Sequence, residues 1–266
     1  MKISVVIPTY KPQEYIFECL DSLHIQTFDR TQFEILIVLN GCNQPYYSMI
    51  EKYMSEKNSV GNYRLIQTDK GGVSNARNIG IMSAVGEYVC FLDDDDVISK
   101  SYLDDLYKNS SPTTIALSNA LSFTDTIDDT SSYYISNAYN ALKKGENLSI
   151  NKARSFFSGP VYKLIHRSML EGILFNEKFK NGEDSLFMFE ISKGISSVRL
   201  CSPETIYYRR IRNNSATTRK RLLGEKITNS LKLGIEYSKI YFRNPLQYNF
   251  GFYLTRMLAT VKNIFE

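Results

Sequence analysis

Unbroken apolar runs alternate with helical stripes along the first hundred or so residues, and this pattern sets the fold class before any chemistry is considered. Ile3 to Ile7, Ile35 to Leu39 and Tyr88 to Leu92 are apolar throughout. Segments of that length, apolar on both faces, predict strands buried in a parallel sheet. Between them, Glu14 to Ile25 carries Ile16, Cys19, Leu20 and Leu23 at helical spacing. Tyr46 to Glu56 predicts a second helix, and Ser74 to Val85 a third with Ser74 as its N-cap. Arg64 to Gln67 adds a short strand. This alternation implies an α/β domain with helices on both faces of a parallel sheet.

After about residue 110 the alternation loosens. Thr113 to Leu117 predicts a strand, Thr124 to Thr130 a polar turn, and Asn137 to Lys144 a helix. From Leu222 onward the pattern is helical again. Leu223, Ile227, Leu231 and Ile235 form one stripe, and Leu254, Met257, Leu258, Val261 and Phe265 form another. The expected division is a domain over residues 1–218, with halves 1–110 and 111–218, followed by basic amphipathic helices over 219–266.

Composition narrows the class. A chain of 266 residues with 43% hydrophobic and 23% charged residues can bury a full core, which excludes a disordered protein. Four scattered cysteines, Cys19, Cys42, Cys90 and Cys201, form no C-x-x-C pair, so a zinc site is not expected and a reducing compartment is. The N-terminal apolar run is cut short by Pro8, unlike a signal peptide, and no window has the length of a transmembrane helix. A cytoplasmic protein is the expectation. The net charge of +4 hides an asymmetry: Tyr207 to Glu266 holds twelve Lys and Arg against three Glu, or +9, which leaves −5 for the rest.

Candidate chemistry concentrates where an apolar run stops. Asp93 to Asp96 follow Tyr88–Leu92 directly, at the carboxyl end of an expected parallel strand, where open α/β folds place their ligands. Clustered carboxylates there suit a hard divalent cation, Mg2+ or Mn2+, holding a phosphorylated substrate. The alternative is a solvated acidic turn that opens the next helix.

Four landmarks stand in order: Ser4-Val5-Val6-Ile7-Pro8-Thr9-Tyr10-Lys11, Gly71-Gly72-Val73-Ser74-Asn75-Ala76-Arg77-Asn78-Ile79-Gly80, Gly86-Glu87-Tyr88, and Phe91-Leu92 with the four aspartates. Together they resemble the bacterial family-two inverting glycosyltransferases of the GT-A fold, of the polysaccharide-building type, over residues 4 to about 217. The resemblance implies a Rossmann-like, mixed but mostly parallel central sheet flanked by helices, here with a C-terminal helical appendage. It implies that Pro8, Thr9, Tyr10 and Asn40 hold the uracil of a UDP-sugar, although Leu39 stands where the family usually has a polar residue. Gly72, Arg77 and Asn78 would also face the donor. In the aspartate run, Asp93 would lie near the ribose or sugar, Asp95 would be the main metal ligand with Asp93 assisting, and Asp94 would occupy the variable position at the donor. Asp96 is expected as a helix cap.

The same resemblance makes Asp184 the general base and Glu183 its neighbour on the acceptor, while both also suit the first turn of a helix. Arg212 and Ser215 fall in a segment that resembles the family's closing loop over the diphosphate. Gly159 to Leu164 matches an acceptor-side segment. The implied partners are a nucleotide-sugar donor and a glycan or lipid-linked glycan acceptor, with Mn2+ or Mg2+ as cofactor, no nucleic acid, and a homo-oligomer as one further option. Two other functions remain open. A nucleotidyltransferase shares the sheet and a carboxylate-held metal. A non-catalytic membrane or nucleic-acid binding module would draw on the basic tail, whose stripes either pack on a protein surface or rest on the inner face of the plasma membrane.

Overall fold

The computed structural model describes residues 1–57, 62–142, 145–212 and 222–265. Its central sheet is built from β1 (Ile3–Thr9), β2 (Phe33–Asn40), β3 (Asn62–Thr68), β4 (Tyr88–Phe91) and β9 (Leu164–His166), in the order β3-β2-β1-β4-β9. β1 pairs in parallel with β2 and β4, β2 in parallel with β3, and only β9 runs antiparallel, against β4. Ile3, Val5, Val6 and Ile7 are fully buried, as an unbroken apolar strand requires. Helices α1 (Tyr15–His24), α2 (Tyr46–Glu56) and α3 (Val73–Ser83) connect the strands. The chain moves outward from β1 to β3 and then returns to β4 on the other side of β1. That reversal makes the carboxyl ends of β1 and β4 a topological switch point, the place where open α/β sheets form a crevice.

The second half adds α4 (Tyr102–Asn109), α5 (Tyr134–Asn140), α6 (Glu183–Ile191) and short strands. Of these, β5 (Val97–Ile98), β7 (Asn119–Phe123), β8 (Thr130–Ser131) and β11 (Ile206–Arg210) form a sheet in the order β5-β11-β7-β8, while β6 (Thr114–Leu117) pairs in parallel with β10 (Ser197–Leu200). Because β11 pairs antiparallel with β5, immediately after the aspartates, its residues reach the switch point. The chain ends in a hairpin of α7 (Leu223–Arg243) and α8 (Phe250–Phe265). No helix among the described residues is long and apolar enough to cross a membrane.

Three expectations are corrected. Gly72, at φ 127°, caps α3, and Ser74 lies buried in the first turn without a capping bond, because the loop needs a backbone angle that only glycine adopts easily. Asp96 caps no helix, since α4 begins only at Tyr102. Most of the two C-terminal stripes does not pack on the body: Leu223, Ile227, Leu231, Ile235, Leu254, Leu258, Val261 and Phe265 are exposed, and of the stripe residues only Met257 is half-buried against the core. The hairpin docks instead through Leu233, Tyr237, Phe252 and Arg256. Tyr237 and Phe252 meet Phe189 at ring distances of 5.3 and 5.8 Å, and Arg256 donates to the carbonyls of Phe157 and Arg154.

Candidate active site

A cleft of about 800 Å³ opens at the switch point. Pro8, Thr9, Tyr10, Asn40, Gly72, Arg77, Asp93, Asp94, Asp95, Glu183, Asp184 and Arg212 all line it. Fold topology thus brings together residues far apart in sequence. Asn78 does not line the cleft: its amide bonds the backbone N–H and C=O of Phe175, at 2.7 and 3.0 Å, and the Glu177 carboxylate. One residue on a helix is a turn of about 100°, so Arg77 and Asn78 cannot both face the donor. Ser215 lies outside the described residues.

Arg77 is the hub. It is only 4% exposed, and its guanidinium donates to Asp184 Oδ1 at 2.7 Å and to Asp93 Oδ1 at 2.9 Å. Burial works against its charge, but Asp184 and Asp93 outweigh that and hold it protonated above its ordinary range. A buried fork shared between two carboxylates fixes both in one geometry. Asp184 sits in the first turn of α6, after Gly182 at φ 85°. Burial raises its carboxyl above the usual range, Arg77 pulls it back and Asp93 pushes it up again. The result is a carboxylate more basic than one in water, beside an open cleft.

The four aspartates divide the work. Asp94 accepts the Thr9 hydroxyl at the end of β1, and burial, opposed by that bond and reinforced by Asp95 and Asp93, pushes it up to about 7. Asp95 is raised by burial and by Asp93, with Arg212 as its counterion. Asp96 is buried, accepts the Tyr207 hydroxyl at 2.6 Å and the Arg210 N–H at 2.8 Å, and so anchors β11 to the end of β4. Tyr207 also accepts from the Asp93 N–H at 3.2 Å, which locks the acidic turn.

At the donor end, Asn40 donates to the Thr9 carbonyl at 2.7 Å and accepts from Gly72 N–H at 2.8 Å, tying β1, β2 and the α3 loop together. Tyr10 projects with over half its surface exposed. Arg212 donates to the Tyr15 hydroxyl at 2.9 Å and lies over its ring at 4.7 Å. Arg210 is held by Glu18 at 2.7 Å and by the Asp95 carbonyl.

Sequence reasoning gave no role of their own to Tyr15, Tyr207 or Lys163, although Lys163 stands in the acceptor-side segment and Tyr207 opens the one that resembles the closing loop. Lys163 is fully buried and donates to the carbonyls of Phe156, Gly159 and Val161 at 2.6 to 2.8 Å. It braces the segment that borders Asp184, since a Cβ on Gly159 would sit 4.0 Å from Asp184 Oδ2. The one available signal was a lysine inside the apolar run Val161 to Ile165.

The donor set fits a hard divalent cation bound with its substrate. No group of three or more His, Cys, Asp or Glu side chains among the described residues is arranged to hold a metal alone. Mg2+ and Mn2+ need no such cage, because one or two carboxylates plus phosphate oxygens and water complete their shell. Asp93 and Asp95 offer those carboxylates at the cleft; burial first, and then Asp93, raises the Asp95 carboxyl, with Arg212 opposing.

Comparisons with known proteins bear on the family and the fold. The profile of Glycosyl transferase family 2 matches residues 4–174. The poly(ribitol-phosphate) beta-N-acetylglucosaminyltransferase TarS of Staphylococcus aureus is 28% identical over 225 residues, spanning 78% of this chain and 35% of TarS. The glycosyltransferase GlyA of Streptococcus pneumoniae is 27% identical over 276 residues, spanning 100% of this chain and 37% of GlyA. This chain therefore spans about a third of either relative. Among solved structures, S. aureus TarS 1-349 in complex with UDP-GlcNAc superposes with a TM-score of 0.75 at 22% identity, covering 100% of this chain and 73% of that one. The fold is shared.

Proposed function

The chain belongs to glycosyl transferase family 2, and from that premise we propose that it is an inverting, metal-dependent glycosyltransferase. Its donor is a UDP-hexose or UDP-N-acetylhexosamine, and its acceptor a growing cell-surface glycan such as a capsular, exo- or lipopolysaccharide. One observation carries the reading: Asp93 at the sheet end and Asp184 on α6 meet in one cleft across a single buried guanidinium. A displacement at an anomeric carbon needs negative groups at both ends, one side for the diphosphate and its cation, the other for the incoming hydroxyl. UDP as the leaving group is supported by TarS, whose structure holds UDP-GlcNAc, and by Asn40, which keeps a free amide hydrogen and lone pair beside the cleft.

Asp184 accepts the proton of the acceptor hydroxyl as its oxygen bonds to the anomeric carbon. The carbon–oxygen bond to the diphosphate breaks, and the electron pair leaves with the diphosphate. A single displacement inverts the anomeric configuration. Asp93 and Asp95 would hold the divalent ion, which neutralises charge on the leaving group when bound. Arg77 positions Asp184, and Arg212 offers a fork suited to phosphate oxygens. A nucleotidyltransferase would have no use for Asp184.

A panel of UDP- and GDP-sugars, scored for thermal stabilisation and slow hydrolysis with Mn2+ and with EDTA, tests the reading. At least one UDP-sugar should stabilise the protein and release UDP only with the metal. Response to GDP-sugars alone overturns the uridine assignment, and no response to any nucleotide-sugar overturns the enzymatic one.

A further inference from the structure

The α7–α8 hairpin presents two apolar stripes to solvent. On α7, Leu223, Ile227, Leu231 and Ile235 recur every four residues, and Phe242 continues the same side; on α8, Phe250, Leu254, Leu258, Val261 and Phe265 recur every three or four. Leu246, in the turn between the helices, is 101% exposed. The stripes are continuous. Gly234 and Ser238 on α7 meet Tyr253, Met257 and Thr260 on α8, and these seam residues lie between the body-facing side of each helix and its exposed stripe. Both stripes therefore flank the seam on the side turned away from the body. An apolar face of this extent marks an interaction surface.

We propose that this face docks the protein on an anionic lipid bilayer. Charge selects that occupant over a second copy of the chain. Lys232 stands three residues from Ile235 and Arg243 follows Phe242, with Lys239, which pairs with Glu236 at 2.7 Å, between them, so exposed basic side chains run along the edge of the stripe. A helix with Leu, Ile and Phe on one side and Lys and Arg beside them is the pattern of an interfacial membrane helix. Phe242, Leu246 and Phe250 cluster at the hairpin tip beside Arg243, which suits entry between headgroups. The hairpin lies on the surface without crossing the bilayer. Docking does not depend on the sugar-transfer reading.

Flotation of the full chain with phosphatidylcholine vesicles, with and without about one third phosphatidylglycerol, tests this at low and high salt. The protein should float with the anionic vesicles, far less with neutral ones, and lose binding as salt rises. Lys232→Gln and Arg243→Gln should each weaken partitioning about fivefold, the equivalent of about 1 kcal/mol. A Leu231→Glu/Leu246→Glu/Leu258→Glu variant should abolish it with an unchanged melting curve, because those side chains are exposed. Absence of binding to anionic vesicles, or equal binding by the Glu variant, overturns the proposal. A dimer seen by light scattering and abolished by the same variant, without vesicle binding, assigns the face to a second copy.

Discussion

Asp94 lies beneath the Thr9 hydroxyl between two other aspartates, and its carboxyl is pushed from an ordinary 3.8 up to about 7. A group whose pKa is higher in the folded state binds its proton more tightly there. The stability it contributes is complete below 3.8 and is lost as pH rises through about 7. Asp94→Asn keeps an acceptor for Thr9 and removes the ionisation, so in metal-free buffer its melting temperature should fall less than that of the parent between about pH 5 and 8. Parallel profiles for the two proteins would show that Asp94 is already neutral-tolerant or solvated. At this scale the position of Asp93 and Asp95 in the cleft was legible, because they directly follow an apolar strand whose carboxyl end faces the crevice. Asn78 and Asp96 were not. Which way Asn78 faces depends on the loop at Phe175, and the role of Asp96 depends on Tyr207, 111 residues away. Arg77 was read as a donor contact, whereas its visible partners are two carboxylates.

Elements were legible where the hydrophobic period was strong. β1, β2, β4, α1 and α2 follow their predicted spans within a few residues, since unbroken apolar strands and a helical stripe leave few alternatives. The C-terminal hairpin shows the limit of that logic. Periodicity reveals that a helix has an apolar face, but it does not say which neighbour covers it. The face that docks mixes Ser230, Leu233, Tyr237, Phe252 and Arg256, polar side chains among apolar ones. That contact bears on catalysis through Gly182, which starts α6 at φ 85° and leaves only enough room for Leu233, since a Cβ there would approach Leu233 Cδ1 to 2.5 Å. Gly182→Ala combines an unfavourable backbone angle with a clash against α7. It should cost about 1–3 kcal/mol and lower the melting temperature by several degrees. A variant as stable as the parent would mean that α7 does not bear on the start of α6.

For the whole molecule, the sheet order β3-β2-β1-β4-β9 decides where chemistry can occur. The alternation of strands and helices made an α/β fold legible, and with it the carboxyl ends of the strands as the expected site. The way Asp184 reaches that site was not legible from pattern alone, because α6 enters from the second half, where short strands give little periodic signal; only the family resemblance marked it. The account's central claim is that this cleft joins a diphosphate end to a basic carboxylate at the acceptor end. Asp184→Asn tests it most directly, because it preserves shape and removes the base. With the preferred UDP-sugar and acceptor, kcat should fall by about a hundredfold or more while the dissociation constant for the donor, measured by calorimetry, stays the same. Undiminished turnover, or a loss expressed as weakened donor binding with kcat intact, would contradict the account.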